Sequence, residues 1–345
     1  MLLQAGSRNE EHSNLGLGHT LRIAAGLGTK NNSSFGICRN LQQAGASLTC
    51  VQGREHTLYT IQATRDSTDL AADYLCDVVS NQAFKPWELE RNLPRLKLEL
   101  ACKNPAADAV ELLHQAAFRS GLGNSLYCAP HKVGSHSPAQ LQTFVSKHFT
   151  SGRSALLGIG VNHASLAKFG ELLNLDAGSG PADVASKYSG GEVRHETGGA
   201  LAYVALAGNC AGAVSVGDCV AAMLLQRALG MGGHVKYSGG QGKLAKAAAA
   251  ASSGSHSVSA IGQMYSDAGL LGAMVVCEAS AAGKVVGAVA AALRNAQVTD
   301  EEVAAAKKNM LADVYTMLEA PLNQIENMGS QVKYYGFVTY EQGSL

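Results

Sequence analysis

The segment LGLGHTLRIAAGLGT, Leu15 to Thr29, places His19 three residues before Arg22 and four before Ile23. On a helix, residues at these spacings share one face. In the motif H-x-x-E-H, two histidines on such a face bind zinc and the glutamate acts as a base. Here an arginine, which keeps its proton, takes the place of the glutamate, and an isoleucine takes that of the second histidine. The segment therefore indicates either a zinc site that has lost its chemistry or a chance histidine on an ordinary amphipathic helix.

A second segment that could bind a ligand is the glycine-rich run GMGGHVKYSGGQGK, Gly230 to Lys243. Backbone N–H groups of such runs can cradle phosphate, but a P-loop needs Ser or Thr directly after the lysine, and Leu244 follows here. The alternative is a glycine-rich surface loop without a ligand.

The remaining histidines and the cysteines show no metal spacing. His131 and His136 fall in a predicted loop and His195 in a predicted strand, so we interpret each as a surface histidine or a hydrogen-bonded core histidine. None of the eight cysteines forms a C-x-x-C or C-x-x-C-H motif, which disfavours a structural zinc, a redox pair or a covalently bound haem. The sequence therefore predicts no metal and no cofactor.

The composition excludes several classes of partner. Lys and Arg total 27 and Asp and Glu total 27, so the chain offers no basic surface for nucleic acid. No apolar run reaches the length of a membrane span, and we expect no transmembrane segment of its own. With 345 residues and 46% hydrophobic content, the chain can form about two domains with sizeable cores.

Around these segments, the pattern predicts helices and antiparallel strands. A β-hairpin is expected in ASLTCVQGREHTLYTIQAT and a long helix from Pro86, since proline suits the first turn. We further expect a strand in SALLGIGV, residues 154–161, and two strands in EVRHETGGALAYVALAG, residues 192–208. The segment Leu175 to Gly191, rich in Gly, Ser and Ala, is predicted to be a linker.

The two halves also repeat each other. One constant displacement along the sequence aligns Asn81 with Asn295 and Glu88 with Glu302, within segments of similar helical pattern. The prediction is an α+β fold made of a duplicated domain, each half a mostly antiparallel sheet with helices packed on one face. Residues 1–174 form the first half, 175–191 the interdomain linker and 192–345 the second half.

This duplicated organisation, with a near H-x-x-E-H helix at its start, resembles the pitrilysin and mitochondrial processing peptidase family of zinc proteases. The resemblance assigns His19 as the first zinc ligand, Arg22 to the position of the general base and Ile23 to that of the second ligand. The resemblance places the third ligand near Glu99. Active members hold substrate with an Arg and a Tyr after the glycine-rich loop, where Lys243 and Ala245 stand here. The resemblance thus implies a metalloprotease-like fold with no catalytic residue left.

Within that family, stretches such as AGSR, LHQAAFRSGLGNSLYC, HFTSGRSALLGIGV and YSDAGLLG are similar to the core subunits of mitochondrial ubiquinol–cytochrome c reductase, complex III. This implies a non-catalytic scaffold on the matrix side of the inner membrane. The implied partners are core protein 1, cytochrome b, cytochrome c1 and the region of the Rieske protein, in a dimeric complex. The alternative is the presequence-binding, non-catalytic α subunit of the mitochondrial processing peptidase. A third, an active metalloprotease, is disfavoured by Arg22 and Ile23.

Compared with these subunits, the sequence is expected to be shortened at both ends. Met1 is followed by LLQAGSRNEE, which has the character of the end of a strand, and the chain stops at YYGFVTYEQGSL. Sheet edges exposed in this way need either further segments or a partner chain to cover them.

Overall fold

The computed structural model describes residues 1–232 and 242–336 of the chain, as helices joined to antiparallel strands. The elements before the predicted linker are β1 Leu2–Leu3, α1 Leu17–Ala24, α2 Ser34–Gln43, β2 Ser47–Gln52, β3 Thr57–Gln62, α3 Thr68–Ser80, α4 Pro86–Ala101, α5 Pro105–Phe118, α6 Pro138–His148, β4 Ser154–Ala155 and α7 His163–Leu172. The elements after it are β5 Leu201–Cys210, α8 Val216–Leu229, α9 Lys243–Ala251, β6 His256–Met264, β7 Gly269–Glu278, α10 Ala282–Arg294, α11 Asp300–Glu319 and α12 Pro321–Tyr335.

Within the described residues, the first sheet has four strands in the order β2-β3-β1-β4, and each neighbouring pair is antiparallel. The predicted hairpin is confirmed, since β2 and β3 pair along their full lengths with Ser47 opposite Gln62. Helices α1, α2 and α3 pack against this hairpin. Leu17 and Leu21 of α1 join Tyr59 of β3 in one apolar core. This packing fixes the helix that carries His19.

In the part of the chain that the structure describes, the second sheet has three strands in the order β5-β7-β6, again antiparallel. Its central strand β7 carries Ala273, Val275 and Cys277 into a core that α10 covers with Val285 and Val289. The same arrangement holds in the first sheet, where β3 lies between its hairpin partner β2 and the strand β1.

Two of the predicted strand regions are wrong in part. In residues 154–161 only Ser154 and Ala155 form β4, because the strand that pairs with it, β1, has only two residues. In residues 192–208 only β5 forms, so His195 lies outside any strand. The run before β5 is mostly charged or polar residues and Gly, and it lacks the alternating apolar positions that a half-buried strand needs.

The predicted duplication is confirmed by the element bounds. The displacement that aligns Asn81 with Asn295 also carries α3 onto α10 at both ends, and it carries the short 3-10 turn Arg65–Ser67 onto Ala279–Ala281. The same displacement carries the first residue of α4 onto the first residue of α11. Helix α3 packs on β3 as α10 packs on β7, and α4 contacts α1 as α11 contacts α8. Each half is therefore an α+β unit of the same design.

The contacts divide the chain into two compact units that are not continuous in sequence. One unit contains Met1–Cys102, Ser120–Val184 and the helix α12, while the other contains Lys103–Arg119 and Ala185–Ala320. In the first unit Gly329 of α12 lies against Leu2, and in the second α5 contacts β5. The first boundary along the linker falls after Val184, inside the segment 175–191. The predicted boundaries 1–174 and 192–345 describe the repeat in the sequence and remain a prediction.

Candidate functional site

Helix α1, which carries His19, is held at its N-terminus by a buried glutamate. Gly16 precedes the helix with a φ of +84°, a conformation that suits glycine. The backbone N–H groups of Gly16 and Gly18 donate to the two carboxyl oxygens of Glu10, at 2.7 and 2.8 Å. Burial raises the pKa of Glu10 to about 7, against the opposing effect of these hydrogen bonds. Glu10 thus satisfies N–H groups that have no partner within the helix.

The His19 side chain is 1% exposed and has partners at both ring nitrogens. Its Nδ1 accepts a hydrogen bond from the backbone N–H of Cys128 at 3.2 Å, and its Nε2 lies 3.2 Å from Glu99 Oε2. The edge of Tyr127 packs on the ring, with centroids 5.5 Å apart. Because Nδ1 accepts, the proton of the neutral ring is on Nε2, which donates to Glu99.

Arg22, one turn further along α1, donates to the same carboxylate. Its Nη2 contacts Glu99 Oε2, and Arg95 Nε lies 3.4 Å from Oε1. Burial would raise the pKa of Glu99, but the hydrogen bonds from His19 and Arg22 outweigh it and the pKa is lowered. Glu99 is therefore an ionised carboxylate that is already paired with a guanidinium.

Ile23 is 3% exposed and belongs to an apolar cluster. Leu96 of α4 and Cys128 are buried with it, and Leu100 and Val133 pack against them. The position that a second zinc ligand would occupy is thus part of the packing between α1, α4 and the segment around Cys128.

These residues do not fit a zinc ion. A metal-binding histidine normally donates its second ring N–H to an acceptor, whereas the second nitrogen of His19 faces a donor. Ile23 has no donor atom, and the Arg22 guanidinium would repel a cation at contact distance. Across residues 1–232 and 242–336, no group of three or more His, Cys, Asp or Glu is placed to hold a metal.

A cavity of about 390 Å³ lies beside this site, between α1, α4 and residues 134–138. Thr20 and His136 line it and hydrogen bond to each other, with Thr20 Oγ1 3.0 Å from His136 Nδ1. His136 is 9% exposed, and burial lowers its pKa. It is therefore a hydrogen-bonded, mostly buried histidine.

The other predicted residues are not brought to this site. His131 lies in a 3-10 turn, and His195, which is mostly exposed, lies 3.6 Å from Asp108. Most of the glycine-rich run Gly230 to Lys243 lies outside the described residues. Lys243 begins α9 and pairs with Glu302 at 2.7 Å, while Ala245 is buried.

The structure adds contacts that the sequence did not indicate. Tyr127 and Cys128 meet His19 although they lie far from it along the chain, and they carry no motif. Arg95 could have been found from its position four residues before Glu99 on one helix.

Two family models match the chain. The model for Insulinase (Peptidase family M16) matches residues 1–130, and that for Peptidase M16 inactive domain matches residues 135–310, about half of the chain. The chain therefore belongs to peptidase family M16. The matches and the repeated elements together confirm the predicted metalloprotease-like α+β fold.

Individual relatives point to one branch of this family. The chain is 36% identical to cytochrome b-c1 complex subunit 2, mitochondrial, of Homo sapiens, over 97% of this chain and 76% of the relative. It is 34% identical to the protein of the same name from Rattus norvegicus, over 96% of this chain and 75% of the relative. Identity falls to 29% with the probable mitochondrial-processing peptidase subunit alpha-1 of Arabidopsis thaliana, over 93% of this chain and 66% of the relative. The predicted resemblance to the core subunits of complex III is confirmed, and the subunit that the chain resembles is subunit 2, that is, core protein 2.

Proposed function

We propose that this chain is a non-catalytic core subunit that supports the assembly and stability of mitochondrial respiratory complex III. The observation that supports the non-catalytic role is the Arg22–Glu99 ion pair beside the apolar Ile23, on the helix where the family carries its zinc motif. The similarity to cytochrome b-c1 complex subunit 2 supports this assignment.

The proposed partners are core protein 1, cytochrome b, cytochrome c1 and the region of the Rieske protein, in a dimeric complex. The chain would lie on the matrix side of the mitochondrial inner membrane, held by these subunits. Among the described residues, no helix combines the length and the apolar character needed to cross a membrane.

The partners can be tested by tagging the chain in mitochondria, extracting with a mild detergent and identifying the bound proteins by mass spectrometry. We expect a haem-bearing assembly that contains core protein 1 and both cytochromes. The alternative function, an α subunit of the processing peptidase, predicts instead a soluble heterodimer with a zinc-bearing partner. Recovery of that heterodimer without cytochromes would contradict the proposal.

We also propose that the zinc site at His19, Arg22 and Ile23 is degenerate. The purified chain should contain no stoichiometric zinc by elemental analysis and should not cleave presequence peptides. A zinc-bearing processing peptidase β subunit, treated identically, serves as the positive control. One zinc per chain that survives dialysis, and is lost when His19→Ala is introduced, would contradict this assignment.

A further inference from the structure

The ion pair between Arg22 and Glu99 has a counterpart in the second half. Arg227 of α8 donates from Nη2 and Nε to Asp313 Oδ2 of α11, at 3.0 and 3.2 Å. Arg22 of α1 donates from Nη2 to Oε2 of Glu99 on α4. In both halves the arginine lies on the helix that packs against the long helix, and the acid lies on the long helix.

The two acids correspond through the repeat, and the two arginines correspond by their distance from the end of their helix. The displacement that carries the first residue of α4 onto that of α11 also carries Glu99 onto Asp313. Arg22 and Arg227 each lie two residues before the end of their helix. In each case the backbone N–H of the first residue after the helix donates to the arginine carbonyl, at 3.3 and 3.1 Å. Each contact therefore pairs an arginine near the end of one helix with an acidic residue at the corresponding place on the long helix.

Counting from the helix end also shows what the two halves do not share. Leu224 and Ala228 of α8 stand at the places of His19 and Ile23. The second half thus has no polar group at either ligand position, and the first half has only its histidine. At these three helix positions, the two halves therefore share the arginine and an apolar residue after it, and they differ in that only the first half has a histidine.

We propose that Arg22–Glu99 and Arg227–Asp313 are one duplicated structural device, which we call the helix clasp. In each half the clasp holds the arginine-bearing helix against the long helix. In the first half the guanidinium supplies the positive charge that a metal ion would supply between α1 and α4 in a zinc-bearing relative. The proposal does not depend on assembly into complex III, because it concerns only contacts inside each unit.

Partial burial separates these pairs from ordinary surface ion pairs, many of which contribute nothing measurable. The side chains of Arg22 and Arg227 are 26% and 12% exposed, and those of their partners Glu99 and Asp313 are 28% and 43% exposed. Arg95, which also reaches Glu99, is 57% exposed and lies on the same helix as its partner, so it cannot join two helices.

The clasp can be tested by double-mutant cycles on the full chain, followed by thermal unfolding. One cycle uses Arg22→Ala, Glu99→Ala and both, and the other uses Arg227→Ala, Asp313→Ala and both. We expect each single substitution to lower the Tm by about 2–4 °C. Each double variant should lower the Tm only slightly more than the more destabilising of its two single variants, because the first substitution already breaks the ion pair. The cross-half double Arg22→Ala/Arg227→Ala should be additive, and Arg95→Ala should change the Tm by less than about 1 °C.

The conservative variant Arg22→Lys keeps the positive charge but not the planar guanidinium, and it should lower the Tm less than Arg22→Ala does. It keeps the test usable if the alanine variants fold poorly. Additivity within the first cycle alongside coupling within the second would overturn the equivalence of the pairs. Additivity in both cycles would overturn the clasp itself. Stoichiometric zinc in Arg22→Ala, measured by elemental analysis, would show a masked metal site in place of the clasp.

Discussion

At the level of single residues, two features determine the chemistry of this site: the ring nitrogen of His19 that carries the proton, and the apolar side chain of Ile23. The Cys128 N–H directs the His19 proton to Nε2, where it serves Glu99. Ile23 then places hydrocarbon where a ligand atom would be needed. One feature is a hydrogen bond and the other is apolar packing. We therefore expect substitutions here to lower the stability of the fold.

Ile23→Ala should lower the free energy of unfolding by about 2–4 kcal/mol, because it leaves a cavity between Leu96 and Cys128. Leu98→Ala on α4 is the matched control, since that side chain is 62% exposed and should change stability by less than about 0.5 kcal/mol. Urea unfolding followed by circular dichroism measures both. Equal, small losses in the two variants would show that Ile23 is not a core residue.

At the scale of the element, α1 depends on the carboxyl group of Glu10 at its N-terminus. The pKa of Glu10 is raised to about 7 from an ordinary value of 4.5, so the folded chain holds a proton that the unfolded chain has lost between these pH values. The contribution of Glu10 to stability is therefore fully present below pH 4.5 and is lost as the pH rises towards 7.

Glu10→Gln should remove this pH dependence, which for the full shift is on the order of 3 kcal/mol. Unfolding in urea between pH 4.5 and 8 measures it, with the exposed neighbour Glu11→Gln as the control. If the free energy of unfolding still varies with pH in Glu10→Gln but no longer does so in Glu11→Gln, the titrating group is Glu11 and the assignment to Glu10 is wrong.

Most elements around the site could be predicted from local sequence, and the contacts at the site could not. Pro86 marked the start of α4, and one constant displacement along the chain related it to Asp300. These signals are local or periodic. Other features depend on residues far apart in sequence. One is the hydrogen bond from the Cys128 N–H to His19, and another is the assignment of α5 to the second compact unit and of α12 to the first. Residues 192–200 do not form a strand because their apolar residues do not alternate with polar ones to make an apolar face.

At the level of the whole molecule, the chain has a duplicated protease-like fold. At the position of the family's zinc motif it has the Arg22–Glu99 ion pair and the buried Ile23. Such a chain can still present large surfaces, and obligate subunit interfaces commonly bury more than about 2,000 Å². The proposed role therefore places the function in assembly, and electron transfer would take place on the cofactors of the partner subunits.

The most direct test of this account is cytochrome c reduction per assembled complex in mitochondria that carry Arg22→Ala. The amount of complex on a native gel is measured beside it, with the wild-type chain as the reference. Because Arg22 is assigned a structural contact and no chemistry, turnover per complex should equal that of the wild type, even if slightly less complex accumulates. Loss of turnover in a complex that assembles in normal amounts would contradict the scaffold function.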